Sequence, residues 1–114
     1  MLAAASHALP PMLTFEAFSR SLDAAAPPPP DATPLLHALW HGLRGEWHEA
    51  HELAQAQDDA HGAWVHAWLH RIEGDLDNAD YWYRRAARPV RRGDTRAEGL
   101  EIARTLIDAP APGH

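Results

Sequence analysis

The sequence predicts an all-α fold of about six helices, paired as antiparallel hairpins that stack side by side. Three observations predict it. The segment HALWHGLRGEWHEA over residues 37–50 returns, edited, as HAWLHRIEGDLDNA over residues 66–79, so the chain contains a repeat with a 29-residue period. Apolar residues inside each copy recur at helical steps: Leu35, Leu36, Leu39, Trp40 and Leu43 in the first, Trp64, Val65, Trp68, Leu69 and Ile72 in the second. At about 100° per residue each set shares one broad helix face. Each copy also carries a glycine, Gly45 or Gly74, where a left-handed residue can end a helix, followed at once by an acid, Glu46 or Asp75, that suits the start of another.

The remaining elements follow in chain order. Residues 1–33 read as an N-terminal arm, loose over 1–13. Within it Thr14 caps a short helix whose Phe15, Phe18 and Leu22 fall on one side. Pro27 to Pro30 fix φ and remove four donors, which makes an extended spacer rather than a helix. Thr33 and Pro34 then cap and open a helix over 34–44, the glycine turn leads to a second over 46–57, and the pattern repeats over 61–73 and 75–88 until Pro89. The two hairpin repeats, 35–57 and 64–88, form the central part of a helical domain spanning 34–108. Thr95 and Glu98 read as a capping box for a closing helix over 95–108, with Leu100, Ala103, Leu106 and Ile107 on its apolar face. Residues 109–114 read as a frayed tail.

A hairpin this short cannot bury its own apolar face and must stack on neighbours. The run Gly74, Asp75, Leu76, Asp77, Asn78, Ala79, followed by Tyr83 and Ala86, resembles the opening of the second helix of a tetratricopeptide repeat. The first copy matches through Gly45, Glu46, Trp47 and Ala50, but has Ala54 where the second has Tyr83, and the period is shorter than the usual roughly 34 residues. The resemblance implies a short right-handed solenoid that binds proteins. The run from His70 and Arg71 through Glu73, Gly74, Asp75, Asn78 and Ala79 to Tyr81, Trp82, Tyr83, Arg84, Arg85 and Ala86 is similar to one in small bacterial and fungal proteins of unestablished function, and implies no reaction.

Composition removes several function classes. A chain of 114 residues makes one domain, able to bury roughly 65% of the surface its unfolded form exposes. Without cysteine it has no disulfide framework, thiolate metal site or cysteine nucleophile. No run reaches the roughly 20 apolar residues a membrane helix needs, and the N-terminus lacks the basic start of a signal peptide, so a cytoplasmic protein is expected. A net charge of -6 argues against nucleic acid as a general partner. The charge is nevertheless polarised, with Arg84, Arg85, Arg88, Arg91, Arg92 and Arg96 clustered against one acid, Asp94.

Two groups of residues could carry chemistry. Of nine histidines, His37 and His41 in the first copy and His66 and His70 in the second form i, i+4 pairs, the spacing that offers two imidazoles to one metal. With Glu73 one turn beyond His70, they make a candidate site for zinc, nickel or copper, to which His48, His51 and Glu52 add further donors. Packing is the competing and favoured use of these rings, because stacked helices stand roughly 8 to 10 Å apart; on that reading no cofactor is expected. The second group, Trp68, Tyr81, Arg84, Arg85 and Arg88, is the candidate partner-binding surface, since arginine beside aromatic faces grips carboxylates and phosphates.

Nucleophilic catalysis has no support: the three serines, Ser6, Ser19 and Ser21, lie outside the repeats. The leading functional expectation is therefore a non-enzymatic interaction or scaffolding module with a protein or peptide partner, capped by its terminal helices or paired as a homodimer. A histidine-based metal-binding protein or metal-dependent hydrolase is the first alternative. Anion or nucleic-acid binding through the arginine cluster is the second.

Overall fold

Two helical hairpins carry the repeat. The computed structural model describes residues 13–24 and 27–108, and among them the chain forms six α-helices and no strand. Helix α1 (Phe15–Asp23) precedes the first hairpin, α2 (Pro34–Leu43) and α3 (Trp47–Gln55); the second is α4 (Ala60–Glu73) and α5 (Leu76–Arg85), and α6 (Thr95–Asp108) follows. The expected loose arm, apart from Leu13, and the expected tail lie outside the described residues. No helix among the described residues is long and apolar enough to cross a membrane.

Local chemistry sets most boundaries where the sequence placed them. Thr14 caps α1 by accepting from the Ala17 N–H, and Thr33 caps α2 by accepting from the Leu36 N–H. Gly45 and Gly74 take φ of 83° and 89°, the left-handed geometry that closes a helix without a Cβ penalty. The acids after them behave differently. Asp75 accepts from the Asn78 N–H and caps α5, whereas the longer Glu46 makes no cap bond and turns its carboxylate back to His41.

Three details depart from expectation. Helix α5 ends before residue 88, closed by Ala86, with Ala87 held at a positive φ of 56°. The capping box of Thr95 and Glu98 does not form: Asp94 accepts from the N–H groups of Arg96 and Ala97, Thr95 is the first helical residue, and Glu98 faces inward. Finally, α6 packs across α2 and α4, the first helices of both hairpins, and against α1, instead of stacking beyond the second hairpin.

That placement defines the core. Trp68 is 1% exposed, its indole donates to the Thr95 carbonyl at 2.7 Å, and its ring fills a slot between Gly42 of α2 and Gly99 of α6. A Cβ at Gly42 would come within 2.6 Å of that ring, so the glycines are small because Trp68 is large. Phe18, Leu39, Leu69, Tyr83 and Ile102 complete the buried centre. Beside them lies a buried charge network: Arg71 pairs with Glu98, the Tyr83 hydroxyl donates to the same carboxylate, and Arg71 also donates to the Gly93 carbonyl at 2.6 Å. Burial, followed by the bond to Glu98, pushes the Tyr83 phenol well above its ordinary pKa, so it remains a donor at all physiological pH.

Candidate metal centre

The hairpin arrangement flanks α4 with α3 on one side and α5 on the other. Histidines at one helical turn on α4, His66 and His70, therefore meet residues from both neighbours. Helix α3 contributes His51 one turn after Trp47, and α5 contributes Trp82. Ala50 and Ala54 on α3 and Ala63 and Ala67 on α4 are all buried, and their small side chains leave room for the rings.

The three imidazoles converge. His51, His66 and His70 each offer a nitrogen, and these atoms all lie within 4.8 Å of one another. His51 Nε2 and His66 Nε2 are 3.0 Å apart, a distance that requires one ring to donate and the other to accept. His70 Nδ1 donates to the Glu73 carboxylate at 2.6 Å, which fixes the tautomer and leaves Nε2 as the lone-pair nitrogen. Carboxylate, imidazole and lone pair in that order is the arrangement by which proteins orient a metal-binding histidine.

Two indoles clamp the rings. Trp47 stacks on His51 at 4.7 Å and 13°, and Trp82 stacks on His66 at 4.0 Å and 12°. On its other face His66 stacks on His70 at 4.8 Å. The Trp47 indole is itself tied down, donating to the Leu69 carbonyl at 2.7 Å. Burial, then the neighbouring His51 and His70, lowers the His66 pKa to about 4. His51 is lowered as well, first by burial and then by His70. Both rings are accordingly neutral near pH 7, the form a metal requires.

The sequence-derived residues divide clearly. His66, His70 and Glu73 come together, joined by His51, which the spacing offered only as a further donor. His37 and His41 belong to no cluster of three metal-ligating groups among the described residues. His41 Nδ1 bonds Glu46 at 2.7 Å instead, while His37 Nε2 is buried without a hydrogen-bond partner. His48 is exposed beside Glu52. Glu73 and Asp75 form a second group with His70, but both carboxylates are exposed and His70 Nδ1 is already committed to Glu73.

The partner-binding set divides too. Trp68 offers nothing to a partner, because the slot between Gly42 and Gly99 buries it. Tyr81, Arg84, Arg85 and Arg88 are exposed. Arg85 lies over the rings of Trp82 and Tyr81 and donates to the Tyr81 hydroxyl, and Arg88 covers Trp64 at 3.7 Å. Arg91 is paired with Glu101 and Arg92 with Asp80, so two of the six arginines of the basic run are neutralised by acids of the chain. Sequence reasoning missed the Arg71, Glu98 and Tyr83 network altogether. No family model, curated protein or solved structure matches this chain.

Proposed function

We propose that this chain is a small helical metal-binding protein, holding one divalent transition-metal ion on His51, His66 and His70, with Glu73 orienting His70. The carrying observation is the convergence of three imidazoles from two helices, their nitrogens within 4.8 Å of one another. At zinc–nitrogen distances of about 2.0–2.1 Å, tetrahedral ligands stand roughly 3.3 Å apart, so the 3.0 Å pair needs only to open slightly and His70 to rotate inward. The ion would take the place of the proton shared by His51 and His66. An all-nitrogen donor set suits zinc, nickel or copper and disfavours calcium and magnesium.

The test is metal content of untagged protein purified without chelator, followed by zinc titration of the stripped chain. About one equivalent per chain is expected, lost in a His51→Ala, His66→Ala double variant that still shows the helical signal of the parent. Equal zinc affinity in parent and double variant would sink the proposal.

A second reading is the interaction module, in its tetratricopeptide-like form with a protein or peptide partner or a second copy. One observation favours it: Ile72, Leu76 and Tyr81 are large, apolar and exposed where the second hairpin turns and along α5. The groove such a module would offer on its first helices is occupied in cis by α6, so α5 is the surface left to bind. Sedimentation of the parent against Leu76→Asp, across concentration, tests the homodimer form.

A further inference from the structure

A cleft of about 670 Å³ opens beside His66, the one histidine of the three that lines it, together with Trp82. Its wall also carries Arg85, held over the Trp82 ring at 5.3 Å. Among the described residues Arg85 has no carboxylate partner; its one side-chain hydrogen bond goes to the neutral Tyr81 hydroxyl. Arg91 and Arg92, by contrast, are both paired with acids. A guanidinium on a cleft wall, uncompensated and propped on an indole, suits an incoming oxyanion.

The inference rests on the metal reading above. Three imidazoles leave a transition-metal ion at least one coordination position short, the usual arrangement where a small molecule is bound. His66 belongs both to the centre and to the cleft wall, so the metal and Arg85 would act on the same ligand. The geometry points to this cleft as the binding site for a small oxyanion, a carboxylate or a phosphate monoester, bridged between the metal ion on His51, His66 and His70 and the Arg85 guanidinium.

The acids on the cleft wall limit what the rest of that ligand can be. Asp58 and Asp59 line the cleft. Asp59 accepts from the Gly62 N–H and the Gln57 amide, both neutral donors, so it and the exposed Asp58 both place negative charge there. A polyanion long enough to reach these acids is repelled, whereas a ligand with one oxyanion and a neutral or cationic remainder suits both Arg85 and the acids. The site therefore selects small ligands with a single oxyanion group over polyphosphates or nucleic acid.

Cobalt(II) supplies the test, because its visible absorption reports both coordination and ligand exchange. The full chain is loaded with cobalt(II) and titrated separately with acetate and with methyl phosphate, in parent and Arg85→Met. At least one anion should shift the visible band saturably, and Arg85→Met should weaken that anion about tenfold, the loss expected for one charge-assisted hydrogen bond, with cobalt affinity unchanged. A response to acetate alone assigns carboxylates, and one to methyl phosphate alone assigns phosphate esters. Cobalt uptake with no anion response, or equal anion affinity in Arg85→Met, overturns this inference and leaves the metal centre standing. A spectrum identical to aqueous cobalt overturns both.

Discussion

The two copies of the repeat carry the same histidine pair and use it differently. In the second copy His66 and His70 meet His51 and stack against two tryptophans; in the first, His41 turns to Glu46 and His37 Nε2 finds no partner. The cause is position in the stack. Helix α4 lies between α3 and α5, so its pair meets a histidine on one flank and an indole on the other. Among the described residues α2 is preceded by the single helix α1, which packs beside it and whose buried residues are Phe18 and Leu22. An i, i+4 histidine pair becomes a centre only where both flanking helices are present.

The copies also differ where Arg71 stands in the second and Gly42 in the first. Gly42 admits the Trp68 ring; Arg71 is buried and neutralised by Glu98. The largest expected effect comes from breaking that contrast. Glu98→Ala leaves a guanidinium uncompensated in the core and should cost about 3–5 kcal/mol, read as a lower denaturant midpoint. Breaking a partly exposed pair of the first copy instead, Arg44 with Glu46 through Glu46→Ala, should cost less than about 1 kcal/mol. Similar losses for both would mean that the buried network contributes no more than a surface pair.

Next in size is metal affinity. His66→Gln should weaken zinc by at least about 100-fold, because even loss of an outer-shell partner commonly costs about 10–100-fold. His37→Gln, at the matching position of the first copy, should leave zinc affinity within about twofold, which isothermal titration resolves. A comparable loss from both substitutions would erase the distinction between the copies.

The same site gives the metal-free chain an acid sensitivity. His66 has a folded pKa of about 4 against an ordinary 6.5. Above pH 6.5 neither folded nor unfolded chain takes up this proton and the stability is full. Between pH 6.5 and about 4 the unfolded chain binds a proton that the folded chain refuses, so stability falls as pH falls, by something on the order of 2 kcal/mol. His51, lowered in the same direction, adds to the slope. Denaturation at pH 7 and pH 4.5 with chelator present should show the loss, and His66→Phe, which keeps the stacking surface, should flatten it.

How much of this the sequence discloses depends on how local each cause is. The helices, their glycine stops and the Thr14 and Thr33 caps are set within one turn, and the spacing reveals them. Asp94 and Thr95 are adjacent residues of similar capping strength, and only the inward turn of Glu98 decides between them. Arg71 and Glu98 are 27 residues apart, and nothing in either neighbourhood marks them as partners. His66, His70 and Glu73, three of the four residues of the candidate centre, are legible in the sequence because α4 alone presents them. His51 was not singled out, since choosing it over His48 requires knowing which face of α3 meets α4. Trp68 reads as part of a partner-binding surface for the same reason: its burial depends on where α6 lies.

The smallest effect tests the finest difference between the copies. Each has a carboxylate on an imidazole Nδ1, Glu46 on His41 and Glu73 on His70, at 2.7 Å and 2.6 Å. Distance cannot tell them apart; only the destination of the other ring nitrogen can. His70 Nε2 belongs to a cluster, so loss of the Glu73 charge should reduce both the basicity of that nitrogen and the order of the ring. Glu73→Gln should therefore weaken zinc about tenfold, at the lower end of what outer-shell carboxylates contribute. Glu46→Gln should change zinc affinity not at all, although it removes a bond of nearly the same length. If Glu73→Gln binds zinc as the parent does, the hydrogen bond at His70 is a helix-end contact like the one at His41, and the orienting role assigned to Glu73 is lost while the three imidazoles keep theirs.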